Sequence, residues 1–243
     1  MNFFRSTLLH AALVLPVLFG AGSAQATTIQ GSSDGKFSNV SHCWGTCYVF
    51  DRSGKPDSKL EWGFGLFTNG STLVAQERQW NVDLAQANDV VLAELVWTNR
   101  ATVDWLTPDR FNVDYTLNIR FNQPNAVSDK EVFNFSILNT ANPAGDVLMG
   151  LTLADLSGLS FALDGLEISD LKYQLAGAGS FDGTYWFNPE SRTSTMYITA
   201  DFKAKAPAIE TPPPASEVPE PASMALFAAG LLGLGFLRAR KAH

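Results

Sequence analysis

The side chains able to carry chemistry in this 243-residue chain are few. Of three histidines, His10 and His243 lie in the terminal segments, which leaves His42 for the central region. It directly precedes Cys43-Trp44-Gly45-Thr46-Cys47, which holds both cysteines. A Ser-His-Asp or Cys-His arrangement would have to use His42. In an extended segment, however, His42 and Cys43 point to opposite sides, and a Cys43–Cys47 disulfide would consume the nucleophile. Two sulfurs and one histidine do not complete a tetrahedral zinc site. The spacing suits a small disulfide-closed ring, too short to stabilise much by loop-closure entropy, whose role is local shaping.

Carboxylates and aromatic rings are the other resources. Glu61, Glu94 and Glu167 fall within strand-like stretches, where two carboxylates facing a cleft would give a glycosidase its acid and its base or nucleophile. An outward charge on an alternating strand is the ordinary reading of each. Asn139, Asn142, Asp146 and Asp164, or Asp182 near Asn188, offer hard oxygen ligands in turns. The expected calcium ligands are Asn139, Asp146 and Asp182, although the spacing is not that of an EF-hand loop and turn formation accounts for the same residues. No other cofactor is expected. Tyr185-Trp186-Phe187 is the candidate sugar contact, through Tyr185 and Trp186. In a strand Tyr185 and Phe187 share one face and Trp186 takes the other.

These residues lie in a body framed by two address-like ends. Arg5, the apolar stretch Leu8 to Phe19 and Ala24-Gln25-Ala26 form a secretory signal peptide over residues 1–26, removed before Thr27. At the other end, Pro219 and Pro221 hold the chain extended, so a helix begins only after them. The uncharged run Ala222 to Leu237 makes a helix of roughly 24 Å, short of the ~30 Å hydrocarbon core. Arg238, Arg240 and Lys241 follow it and favour the cytoplasmic side.

The tail 218–243, with Pro219-Glu220-Pro221, a short apolar helix over 222–237 and a basic terminus, resembles the PEP-CTERM sorting signal of Gram-negative bacteria. The resemblance implies recognition and removal by an exosortase, and association with exopolysaccharide and biofilm. The N-terminal signal peptide makes signal peptidase a second expected processing partner, and the two ends together give the inner membrane as a transient station and the cell surface or extracellular matrix as the expected destination.

Residues 207–217, rich in Pro and Ala, read as a spacer. The exported body, 27–206, is long enough for one sizeable core. Setting aside Arg5, Arg238, Arg240 and Lys241 leaves 13 basic against 24 acidic side chains, a net of −11. Such a charge repels phosphate backbones, so nucleic acid is not an expected partner.

Period-two alternation dominates this body. Phe111, Val113, Tyr115, Leu117, Ile119 and Phe121 share one face of a strand, and Phe133, Phe135 and Ile137 repeat the pattern within Val132 to Leu138. Further strands are expected over Leu60–Phe67, Gln79–Leu84, Val90–Thr98, Val147–Leu153, Leu159–Leu163, Leu166–Leu175 and Thr193–Phe202, with a short helical turn around Ala154 to Leu156. Gln30 to Ser41 reads as a polar entry segment. Many short strands separated by Gly, Asn, Asp and Pro turns predict an all-β fold, a jelly-roll-like antiparallel two-sheet sandwich.

Cys43-Trp44-Gly45, Leu60-Glu61-Trp62-Gly63-Phe64, Leu95-Val96-Trp97-Thr98-Asn99 and Phe133 to Asn142 occur in the order seen in the choice-of-anchor K domain, which the body resembles. That resemblance implies an exported domain ending in a sorting tail, and it carries no catalytic residues. The expected function is non-enzymatic, a component of the envelope or matrix. The alternatives are an extracellular carbohydrate-active enzyme with a carboxylate pair, and a carbohydrate-binding module.

Overall fold

The computed structural model describes residues 28–51, 57–64, 69–140 and 142–205. The expected signal peptide, spacer and sorting tail, with the helix expected over 222–237, lie outside the described residues. Among the described residues no helix is long and apolar enough to cross a membrane.

Among the described residues, thirteen strands form two antiparallel sheets. They are β1 (Thr28–Ser41), β2 (Cys47–Asp51), β3 (Ser58–Trp62), β4 (Ser71–Gln76), β5 (Arg78–Asp83), β6 (Val90–Thr98), β7 (Arg110–Gln123), β8 (Val127–Leu138), β9 (Asp146–Met149), β10 (Leu166–Gly177), β11 (Ser180–Phe181), β12 (Tyr185–Asn188) and β13 (Thr193–Ala204). One sheet runs β11-β12-β9-β8-β7-β1-β5 and the other β10-β13-β6-β4-β3-β2. The expected all-β sandwich is the fold observed.

Alternation in the sequence becomes burial in the structure. Phe111, Val113, Tyr115, Leu117, Ile119 and Phe121 of β7 all face the core, as do Phe133, Phe135 and Ile137 of β8. From the other sheet, Leu60, Trp62, Leu73, Ala75, Leu95 and Trp97 meet them. Rings cross between the layers: Trp62 packs on Phe111 at 5.6 Å between centroids, Phe202 on Phe121 at 5.8 Å and Trp97 edge-on to Trp186 at 5.2 Å.

The segment expected to be a polar entry is a full strand. β1 pairs with β5 on one side and β7 on the other, and Ile29, Gly31, Ser33, Gly35 and Phe37 line its inner face. Its glycines weaken the sequence signal but serve packing. A Cβ on Gly31 would lie 2.5 Å from the Trp80 ring, and one on Gly35 2.5 Å from the Tyr115 ring. Large rings of the neighbouring strands therefore occupy the space that side chains of β1 would need.

Two expected strands are corrected. Val147–Leu153 is a strand only to Met149, because Gly150 turns with φ of 104° and Thr152 then caps the short helix α1 (Leu153–Leu156) in a capping box with Asp155. Leu159–Leu163 joins no sheet. Side chains hold it instead: Asp129 accepts from the Ser160 N–H at 2.8 Å, and Asn125 donates to the Ala162 carbonyl at 3.0 Å. Leu159 and Leu163 bury themselves without a ladder.

Trp97 sits where the two layers and three tryptophans meet. Its replacement by Ala should cost about 3–5 kcal/mol of unfolding free energy, measured by chemical denaturation; a loss under about 1 kcal/mol would contradict this packing.

Candidate functional site

One end of the sandwich carries the most unusual surface. The β1–β2 connection contributes His42, Trp44 and Thr46, and the approach to β7 contributes Trp105 to Arg110, to a groove of about 690 Å³. Large indoles normally lie inside, yet Trp44 is 91% exposed and Trp105 81% exposed. The other four tryptophans are buried.

Both loops are constrained. Cys43 and Cys47 form the expected disulfide. Within its ring, Gly45 takes φ of 76°, its N–H donates to the Cys43 carbonyl at 2.9 Å, and the Tyr48 hydroxyl donates to the Gly45 carbonyl at 2.8 Å. Trp105 lies in a 3-10 turn, Asp104–Leu106, in which Leu106 N–H donates to the Val103 carbonyl. Val103 N–H donates to the Phe64 carbonyl at 2.8 Å, and Thr102 and Thr107 press on Gly63, whose φ of 71° and lack of a side chain admit them.

Trp186 does not reach the surface, contrary to expectation. It is fully buried against Trp97, and its indole N–H donates to the Ser194 hydroxyl at 3.0 Å. Alternation placed Tyr185 and Trp186 on opposite faces correctly, but the face given to Trp186 is the inner one. Tyr185 is half exposed, on a different strand from the groove. Trp44 and Trp105 lie in loops, where strand periodicity gives no indication of exposure; the adjacent Cys43 and Cys47 were the available sign that this loop is shaped.

The carboxylates expected to be catalytic are spread out. Glu61 bonds Lys59 at 2.7 Å and Glu94 pairs with Arg78 at 3.0 Å. Glu61 stands opposite Thr72, which stands opposite Thr98, four residues along β6 from Glu94. At ~3.3 Å per residue and ~4.8 Å between strands, those backbones are roughly 16 Å apart, against about 5–9.5 Å between the carboxyls of a glycosidase pair. Glu167 lies opposite Lys203 and lines a separate cleft of about 700 Å³ beside α1.

The expected calcium ligands divide. Asp182 sits in the exposed β11–β12 turn, where its carboxylate accepts from Tyr185 N–H at 2.8 Å and Thr184 N–H at 2.9 Å; these bonds hold its pKa below the usual value. Asn139 and Asp146 come together at the other end of β12. Asp146 is the direct cross-strand partner of Asn188, and its Oδ1 accepts from the Thr140 N–H at 2.9 Å. Burial pushes the Asp146 carboxyl up to about 7, opposed by that N–H and reinforced by the charge of Glu190.

Asp89, Asp170 and Asp201 form another acidic cluster, with ligand oxygens within 4.8 Å of one another. Lys172 bonds two of its members, Asp170 at 2.5 Å and Asp89 at 2.9 Å, so the cluster already holds a cationic group.

Comparison with known proteins bears on the tail. Residues 217–241 match the PEP-CTERM protein-sorting motif. The motif marks an exported protein processed by exosortase and sorted to the cell envelope. Pro219, Glu220, Pro221, Arg238, Arg240 and Lys241 all fall within the match. No curated protein matches the chain.

The surface position of the two indoles is directly measurable. Acrylamide should quench a readily accessible part of the tryptophan emission, and Trp44→Phe with Trp105→Phe should remove that part while moving the thermal midpoint by no more than about 2 °C. Quenching that is unchanged in the double variant would contradict the exposed placement.

Proposed function

We propose that this chain is a non-catalytic surface protein that holds neutral extracellular polysaccharide in the Trp44–Trp105 groove. The carrying observation is the pair of exposed indoles on two tethered loops. Flat aromatic faces pack against the apolar C–H faces of sugar rings, and His42, Thr46, Thr107, Asp109 and Arg110 supply hydrogen-bonding groups along the same groove. The net charge of −7 disfavours polyanionic partners.

Location supports the reading. An exosortase-processed tail delivers its cargo to the envelope, where exopolysaccharide and the biofilm matrix of a Gram-negative cell supply the partner. Signal peptidase trims the first segment, and the inner membrane holds the precursor only in passing. The resemblance to the choice-of-anchor K domain agrees with a surface role and adds no catalytic residue.

Two outcomes are expected. The full chain in detergent should be retained on host exopolysaccharide and release no reducing ends. Trp44→Ala with Trp105→Ala should weaken retention roughly 10- to 100-fold, at about 1 kcal/mol or more per ring, while Tyr185→Ala leaves it unchanged. Equal retention of the double variant would remove the groove from the binding site, and catalytic turnover would favour the glycosidase.

For sorting, Pro219→Ala, Glu220→Ala and Pro221→Ala together should leave the C-terminal segment attached, read by intact mass in the host. Normal trimming of that variant would argue against exosortase recognition.

A further inference from the structure

Three residues buried at the end of the sandwich beside the groove, Asn139, Asp146 and Asn188, lie on or next to the adjoining strands β8, β9 and β12. Asn188 and Asp146 are directly opposed on adjacent antiparallel strands, which places their Cβ atoms on one face about 4.5–5.5 Å apart. Both are fully buried, following Trp186 and Leu148 on the inward side of β12 and β9. The Asn188 amide nitrogen donates to the Trp97 carbonyl at 3.0 Å and to the Arg192 carbonyl at 3.4 Å, so its Oδ1 points away from those acceptors. That Oδ1, Asp146 Oδ2 and Asn139 Oδ1 are buried acceptors without a hydrogen-bond donor.

The main chain packs closely around them. Gly145 adopts φ of 107°, and a Cβ there would lie 2.8 Å from both the Asn188 carbonyl and Pro189 Cα. Asn139 adjoins Thr140, whose N–H bonds the other Asp146 oxygen. The Glu190 carboxylate acts electrostatically on Asp146 from the same end of β12.

We propose that Asn139, Asp146 and Asn188, with Glu190 beside them, form a calcium site. A hard cation of this size accepts several neutral and anionic oxygens in flexible geometry. A single buried water has only two protons to donate to the three acceptors and leaves the carboxylate charge uncompensated. A magnesium ion would demand a tighter octahedron and retain its waters.

The site has a mechanical consequence for the groove. Asn139 N–H donates to the Asp109 carbonyl at 2.9 Å, and the Asn142 amide donates to the Thr102 carbonyl at 2.6 Å. The β8–β9 loop thus braces both ends of the segment that carries Trp105. Calcium binding stiffens that segment.

The test uses the full chain in detergent, first stripped with chelator. Millimolar calcium should raise the thermal midpoint by about 5–10 °C, as expected for a ligand well above its dissociation constant in a domain of this size, and equal magnesium by much less. Terbium should bind at the same site and show luminescence sensitised by the nearby tryptophans, displaced by calcium. Asp146→Asn should abolish both responses, and Asp170→Asn, in the Lys172-bonded acidic cluster, should leave them intact. If Asp146→Asn does not fold, Glu190→Gln should lower calcium affinity at least about tenfold. The proposal is overturned if the parent chain shows neither response, if the responses survive the folded Asp146 variant, or if calcium affinity is unchanged in the Glu190 variant. These readouts do not involve polysaccharide, so they stand or fall separately from glycan retention.

Discussion

The joint between the two sheets at the Trp97 end is the constraint on which the end of the sandwich that carries Trp44 and Trp105 depends. Trp97 from one sheet and Trp186 from the other meet edge to face, and the Trp186 indole reaches across to Ser194. Beside the rings, the Asn188 amide donates to the Trp97 carbonyl, the Asn99 amide to the Asn188 carbonyl, and Ser71 to Asn99. Burying so many polar atoms is costly unless they are bonded to one another. The Asn188 bonds run between layers and, with the Ser71–Asn99 bond, fix the ends of β4, β6 and β12 relative to each other.

That joint lets loops of modest length carry shaped surface. The Trp44 loop is closed by its disulfide and leans on β3 through the Gly63 N–H to Thr46 carbonyl bond. The Trp105 turn is held from below by Thr102 and Thr107 against Gly63, and from the side by the β8–β9 loop. An exposed indole on a floppy loop would lose much of its contact energy to ordering; on a braced loop the ordering has been done during folding. The groove and the buried oxygen cluster are therefore neighbours mechanically as well as spatially, with Asp109 and Thr102 as the links.

Division of labour between cargo and tail is also physical. The sorting motif occupies residues 217–241 and needs only a short extended approach, an apolar run and basic residues. The sandwich has its own core, formed among the described residues. The sorting tag and the loops at one sheet end can thus change independently.

Linear features of the sequence determined the most. The tail was legible because its recognition depends on residue order alone, and β6, β7, β8 and β13 because half-buried strands impose a period of two. The disulfide followed from two cysteines four residues apart in an exported chain. Tertiary structure decided what periodicity cannot encode. β1 is a central strand whose glycines make room for Trp80 and Tyr115, a reason that lies on other strands. Leu159–Leu163 has strand-like residues but pairs with no strand, and the Asp129 and Asn125 side chains tether its backbone instead. Trp186 and Trp105 are the same residue type with opposite fates, because one falls on the inward side of β12 and the other on a turn outside the layers. Likewise Asp182 and Asp146 were equivalent as turn-forming acids in the chain. Only the pairing of β9 with β12 sets Asp146 opposite Asn188, where both are fully buried.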